Sequence, residues 1–246
     1  MSDLRIGVIG AGVMGSGIAQ VTATAGYETV CFDVDAAAVE RAHEHVTTGR
    51  YGFDRAVERN KLTRADADAA LGRLELSTSF EAAAAADVVI EAVPERLHLK
   101  IRVFRDLDRA AAEATILASN TSGFSIAAIA AATDRPDRVI GWHWASPAPV
   151  MRFAEIVRTR ATSDATVERI RAVASACGKN PVVINDTDTK WGFVANRVYA
   201  AAMDEAKRVV DEGVATPEQV DQLMIDCFGW PTGPYTMIRG ALTGWA

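Results

Sequence analysis

The sequence predicts an α/β protein in which a doubly wound, mostly parallel sheet is followed by a small all-helical domain. Three observations lead there. Short apolar, β-branched runs alternate with segments of helical period over most of the chain. A glycine-rich turn, Gly10-Ala11-Gly12-Val13-Met14-Gly15, joins the first strand-like run to the first helical one. After Asp188 the strand signals stop and only helical periodicity remains.

The elements follow in order. Leu4 to Ile9 alternates with apolar bias and ends at glycine, so it reads as a buried strand. Met14 to Ala25 carries apolar residues at helical spacing, and Glu28 to Phe32, bounded by Gly26 and Asp33, reads as a second strand. Ala36 to Leu71 breaks the alternation and reads as a helical pair. One arm runs from Ala36 to about Ala56, a turn falls at Asn60-Lys61-Leu62-Thr63, and a short arm starts at Arg64, with Thr63 as its N-cap and Asp66 in its first turn. Strands are expected at Leu74 to Leu76, Asp87 to Ile90, Thr115 to Ala118, Val139 to Trp142, Phe153 to Val157 and Val182 to Ile184. Helices are expected at Leu97 to Ala112, Ser125 to Ala132 and Ala165 to Cys177, and the alanine run 82–86 sits at a helix position. Trp191 to Asp211 and Pro217 to Cys227 read as two helices of the second domain. The domains are therefore 1–187, with the arm at 36–71, and 188–246.

Composition narrows the class of partner. The 246 residues are 49% hydrophobic and 24% charged, ordinary for a globular chain that can bury its own core. No apolar run reaches the length of a bilayer span, and no signal peptide precedes Leu4, so neither a membrane nor export is expected. Cys31, Cys177 and Cys227 are far apart and odd in number, which suggests a reducing cytoplasm and no zinc site. His43 and His45, two apart on a helix, do not share a face, so no metal is expected there. The net charge of −6 argues against nucleic acid but leaves room for a phosphorylated ligand.

The glycine turn has the G-x-G-x-x-G form of a Rossmann-type dinucleotide site, and it stands in the context that form requires, after a strand and before a helix. Gly10 permits the tight turn, Gly12 lets a pyrophosphate approach the backbone, and Gly15 lets helix and strand pack closely. The N–H groups about Val13 and Met14, at the helix start, face the phosphates. Asp33 ends the second strand close to the ~20-residue spacing of the ribose-binding acid. It would repel a 2′-phosphate and no arginine follows it directly, which favours NAD over NADP. As a residue alone, Asp33 also reads as a helix N-cap.

Four segments in this order, GAGVMGSGIAQ, EAVPERLHLK, SNTS and HWASPAPVMRFAEIV, resemble the 3-hydroxyacyl-CoA dehydrogenase family, and the likeness runs from about Leu4 to about Tyr235. The resemblance implies several roles. Glu95 and Lys100 approach the nicotinamide half of the cofactor, with Asn120 and Ser146 also beside it; Ser122 touches substrate and cofactor; Asn196 holds the substrate. Without the resemblance, Glu95 and Lys100 read as a helix start, Ser122 as turn chemistry, and Asn196 as a polar residue on a packed helix. The helical pair resembles the family's arm along the acyl carrier, where Arg59 matches a basic position and is an expected substrate contact. Arg50, Arg55 and Lys61 offer further partners for carrier phosphates.

His143 carries the chemical argument. It ends an expected strand beside a turn with Pro147 and Pro149, and Glu155 lies in the next strand. Such a connection can lay the strands side by side and bring the carboxylate onto the imidazole. Oxidising an alcohol removes a hydride and a proton, and imidazole is the side chain suited to take that proton near neutrality. A neighbouring carboxylate fixes the tautomer and stabilises imidazolium.

The chain departs from the family in four places. His143-Trp144-Ala145-Ser146-Pro147 replaces the common His-Phe-Phe-Asn-Pro; Gly52 replaces a carrier-contacting serine; residues 188–192 form a longer run between domains; Arg239 stands where an acid is usual. The family's second domain continues past the point matched by Ala246 and forms its dimer. The expected function is NAD-dependent interconversion of (S)-3-hydroxyacyl-CoA and 3-ketoacyl-CoA. Two alternatives stay open: the same chemistry on a hydroxyacyl carrier protein or a non-thioester alcohol, and a non-catalytic NAD-binding protein.

Overall fold

The computed structural model describes residues 4–187 and 190–243. The chain forms two compact units, Met1–Lys190 and Trp191–Ala246. The boundary expected after residue 187 abuts Asp188 and Thr189, which lie outside the described residues, as does that part of the 188–192 run.

The first unit is built on one eight-stranded sheet. Its strands are β1 (Arg5–Ile9), β2 (Glu28–Phe32), β3 (Leu74–Ser77), β4 (Val88–Glu91), β5 (Ile116–Ser119), β6 (Val139–Trp144), β7 (Phe153–Arg158) and β8 (Asn180–Asn185). They lie in the order β3-β2-β1-β4-β5-β6-β7-β8. Pairings from β3 through β6 are parallel. The central strands are apolar throughout, as strands covered on both faces must be, and Ile6, Val8, Ile90, Ala118, Ile140 and Trp142 form the core. The strand order reverses between β1 and β4, which opens a crevice at the C-terminal strand ends, where ligands bind in such sheets.

β7 breaks the parallel pattern. The connection from Trp144 to Phe153 is too short for a helical crossover, so the chain must return antiparallel. β8 then pairs parallel to β7 after a helical crossover.

The helices of this unit are α1 (Val13–Thr24), α2 (Ala36–Thr47), α3 (Phe53–Glu58), α4 (Arg64–Gly72), α5 (Phe80–Ala84), α6 (Leu97–Ala110), α7 (Ile126–Ala130) and α8 (Asp164–Ala176). The arm differs from expectation. Its first helix does not run to Ala56 but stops at Thr47, and a separate α3 begins at Phe53. The chain doubles back tightly between them: a Cβ on Gly49 would lie 2.4 Å from the His45 carbonyl oxygen, and one on Gly52 2.6 Å from that of Thr47. A serine at position 52 is therefore excluded by backbone and not merely absent. Thr63 caps α4 as expected, accepting from the Asp66 N–H at 3.1 Å. Val46, Phe53, Ala67 and Ala70 give the arm its own small core.

The second unit holds three helices among the described residues: α9 (Val194–Asp211), α10 (Pro217–Phe228) and α11 (Pro234–Thr243). A Thr216–Gln219 capping box starts α10 and left-handed Gly229 ends it. α11 was not expected. Its cap is remote in sequence: buried Asp221 accepts from the backbone N–H groups of Tyr235 and Thr236 at 2.7 and 2.9 Å.

Candidate active site

The glycine turn follows β1 directly. Gly10 adopts φ 103° and donates its N–H to the Phe32 carbonyl at 2.7 Å. A Cβ on Gly15 would sit 1.7 Å from the Gly10 carbonyl oxygen, so only glycine allows helix and turn this close. Gly12 is the N-cap of α1, with no side chain bonded to the helix end and open space where its Cβ would stand. Val13 is exposed beside it, and Met14 packs partly against the core. The helix start thus presents backbone N–H groups outward.

Asp33 faces the same turn. One carboxylate oxygen accepts the Ala11 N–H at 2.8 Å, and the other accepts the Asp35 N–H at 3.1 Å. The N-cap of α2 is Asp35, which accepts from Ala37, so Asp33 is not spent on capping. A helix start open at Gly12 and a half-exposed carboxylate beside it fit a dinucleotide with an unphosphorylated ribose. One contact at this turn has no signal in the motif: the Ser16 hydroxyl, which bonds the Gly12 carbonyl, also meets His45 Nδ1 at 2.7 Å.

At the ends of β4 and β5 lies a buried charge cluster. Glu91 is fully buried and accepts from Lys100 Nζ at 2.7 Å, Ser119 Oγ at 2.6 Å and the Val93 N–H at 2.8 Å. Burial pushes its carboxyl above the ordinary range, opposed chiefly by the Lys100 charge. Lys100 Nζ also reaches the Val93 carbonyl at 3.2 Å and Glu95 at 3.1 Å. All three of its donors are therefore engaged, and the side chain is 1% exposed. The ammonium is thus turned inward, onto the turn that carries Glu95. The other Glu95 oxygen accepts from Thr121 Oγ1 at 2.6 Å and from the Ser122 N–H at 2.9 Å. Glu95 thereby holds Ser122 at the end of β5. Glu91 and Ser119 were not anticipated. An acid inside the apolar run Val88–Glu91 was the available signal, because a fully buried carboxylate demands partners.

His143 lies inside β6, which extends to Trp144, and not at its end. The antiparallel register sets it directly opposite Glu155 on β7. Side chains so paired share one face at contact distance, and His143 Nδ1 meets Glu155 Oε2 at 2.8 Å. Both residues are buried, 7% and 4% exposed. A carboxylate only accepts, so Nδ1 carries the hydrogen. The Phe153 ring stands edge-on to the imidazole at 5.2 Å. Gly141, two residues earlier on the same face, is required: its Cβ would meet Val157 and Ile126 at 2.8 and 2.9 Å.

Asn120 ties the two strand ends together. Its Oδ1 accepts the Trp144 N–H at 2.9 Å, so its carbonyl end positions the strand that bears His143. Ser146 is exposed on the following connection, before a cis Ser146–Pro147 bond. Asn196 lies in the first turn of α9 in the other unit. Arg59 lines a cleft of about 460 Å³ between the arm, α1, the 149–152 segment and the end of α8. Arg50, Arg55, Lys61, Arg152 and Lys179 also line it, and none of the lining residues is acidic. Gln20 Nε2 bonds the Tyr51 carbonyl at 2.9 Å, fastening the arm to α1 beside this cleft.

Comparison with known proteins identifies the family. Residues 5–187 match the family model described as 3-hydroxyacyl-CoA dehydrogenase, NAD binding domain. Residues 192–242 match 3-hydroxyacyl-CoA dehydrogenase, C-terminal domain. A Bacillus subtilis protein named "Probable 3-hydroxybutyryl-CoA dehydrogenase" is 41% identical over 96% of this chain and 80% of its own. The crystal structure of (S)-3-hydroxybutyryl-CoA dehydrogenase PaaH1 from Ralstonia eutropha is similar with a TM-score of 0.89 at 39% identity, covering 95% of this chain and 80% of that one. FadB2 of M. tuberculosis gives 0.88 at 37%, covering 95% and 81%. The chain belongs to the 3-hydroxyacyl-CoA dehydrogenase family.

Proposed function

We propose that this chain is an NAD-dependent dehydrogenase that interconverts (S)-3-hydroxyacyl-CoA and 3-ketoacyl-CoA. The observation that carries the reading is the 2.8 Å contact between His143 and Glu155, in a sheet whose first turn is built for a dinucleotide. NAD, when bound, supplies the hydride acceptor. His143 Nε2 takes the proton of the 3-hydroxyl as the alcohol is oxidised and returns it in the reverse direction. Glu155 stabilises the imidazolium that results and keeps the ring in one tautomer. Ser122, set in place by Glu95, orients the reacting oxygen, and Asn196 keeps the role the resemblance assigns it, contact with the acyl group.

The cofactor end rests on Gly10, Gly12, Val13, Met14 and Gly15 for the pyrophosphate and Asp33 for the ribose. Glu95, Asn120, Ser122 and Ser146 serve the nicotinamide end, with Lys100 acting through Glu95. The cationic cleft supports the CoA reading, because Arg59 and its neighbours suit the phosphates of that carrier. Assembly as a homodimer through the helical unit, and a cytoplasmic location, are parts of the same proposal. The former rests on the family resemblance alone, and among the described residues no helix is long and apolar enough to cross a membrane.

The direct experiment supplies (S)-3-hydroxybutyryl-CoA and NAD and follows NADH. Steady turnover with the S isomer, and little with the R isomer or with NADP, is the expected outcome. Failure to turn over a panel of hydroxyacyl-CoA chain lengths, with NADH binding intact, would leave a dinucleotide-binding protein without this activity.

A further inference from the structure

Lys179 borders the cationic cleft, yet its ammonium is taken up by backbone carbonyls. It is 6% exposed. Its ammonium donates to the carbonyls of Ala148 at 2.6 Å and Met151 at 2.7 Å, and lies 5.0 Å from the centroid of the Trp144 ring. Among the described residues no carboxylate forms an ion pair with it. The nearby Cys177 thiol is pushed up to about 12 by burial, so it is a neutral neighbour. Burial in turn pushes the Lys179 ammonium below its ordinary value. A charge held this way is costly, and a neutral hydrophobic side chain would fill the same space more cheaply. What the charge holds is therefore the point.

The two carbonyls belong to the connection between β6 and β7. This segment joins His143 to Glu155, and within it the Val150 and Met151 N–H groups both return to the Pro147 carbonyl at 3.0 Å. The same segment lies against α1, where a Cβ on Gly17 would stand 3.3 Å from Ala148 Cβ and 3.4 Å from Pro149 Cδ. One short segment thus touches the helix of the dinucleotide turn and links the two members of the acid–base pair. Lys179 fixes that segment from the start of β8, whose Asn180 N–H adds a bond to the Arg152 carbonyl at 2.7 Å.

We propose that Lys179 is a positioning residue that, by clamping the 145–152 connection, sets the spacing between the dinucleotide helix α1 and the His143–Glu155 pair. The proposal rests on the reading of that pair as the acid–base couple. A loosened clamp lets hydride acceptor and proton acceptor drift out of register while each end still binds. Misplacement on the scale of 1 Å costs rate much more than affinity.

The test uses the full chain with NAD and (S)-3-hydroxybutyryl-CoA. Lys179→Met keeps the length of the side chain and removes its donors. The expected result is a kcat lowered about tenfold or more per NADH-binding site, with KM and NADH affinity within about threefold, and substantial recovery in Lys179→Arg. Gly17→Ala tests the other contact of the segment independently of the buried charge. Alanine favours the helix but crowds Ala148 and Pro149, so kcat is expected to fall about fivefold with a Tm unchanged or raised. Unchanged kcat in both variants overturns the proposal, and so does a Lys179→Met loss in which NADH binding disappears in parallel while Gly17→Ala is fully active. A wild-type chain that fails to oxidise the thioester would instead refute the function proposed above.

Discussion

Two buried charge clusters sit in this sheet, and they are built for opposite purposes. At the ends of β4 and β5, Lys100 spends every donor on Glu91, Glu95 and the Val93 carbonyl. At β6 and β7, His143 commits one ring nitrogen to Glu155. In the first cluster the three donors of the ammonium are all taken, and Glu95 in turn accepts from Thr121 and the Ser122 N–H. The second pairs a carboxylate with an imidazole, a side chain that can take up a proton and give it back. Burial alone therefore does not identify a catalytic group; what matters is whether the buried side chain is of a kind that exchanges protons.

That distinction is open to breaking. The largest effect is expected for His143→Ala, which removes the proton acceptor: kcat falls about a thousandfold while NADH binding, read by fluorescence, is retained. Turnover near the wild-type level would merge the two clusters into one structural class. Next, Glu91→Gln leaves the Lys100 charge half-compensated in the interior, and stability falls by about 3 kcal/mol in urea unfolding. Equal loss of activity per folded molecule would show that the scaffold cluster also takes part in chemistry. Glu155→Gln preserves shape but no longer stabilises imidazolium. A kcat about thirtyfold lower is expected at little cost in NADH affinity, and a Tm loss without any rate loss would make Glu155 scaffold too.

The smallest effect concerns His45, an imidazole bonded to the Ser16 hydroxyl but outside both clusters. Burial lowers its pKa from the ordinary value, so the unfolded chain binds the proton more readily than the folded one. Its contribution to stability is whole above the ordinary imidazole range and is lost as pH falls through that range toward the lowered folded value. His45→Gln is expected to flatten this part of the stability–pH curve, measured by urea midpoints. An unchanged slope would assign the dependence elsewhere.

The parts of this architecture that could be read from the chain are those whose causes are local. Gly10 to Gly15 announces its turn because the glycine spacing sits directly between a strand and a helix, and Gly15 answers a contact with Gly10 itself. Thr63 and Asp66 announce a helix start for the same reason. His143 and Glu155 could be paired because one short, proline-bearing connection leaves the chain nowhere else to go. What stayed hidden depends on distant partners. Helix α11 begins on the Asp221 carboxylate, far back in α10, so no local cap marks it. The break after Thr47 comes from Gly49 and Gly52 folding over a helix end, a collision that periodicity does not see. Without the resemblance Lys100 read only as part of a helix start, because its acids, Glu91 and Glu95, are brought to it by the sheet and the turn after it. Lys179 was silent because its partners are carbonyls, which every residue has.

The most direct test of the whole account is the pH dependence of kcat/KM for oxidation of (S)-3-hydroxybutyryl-CoA, measured for the wild type and His143→Gln side by side. A single ionisation that raises the wild-type rate with pH and vanishes in the variant is the predicted result. A variant that keeps the same ionisation would place the proton acceptor on another group and contradict the assignment of His143.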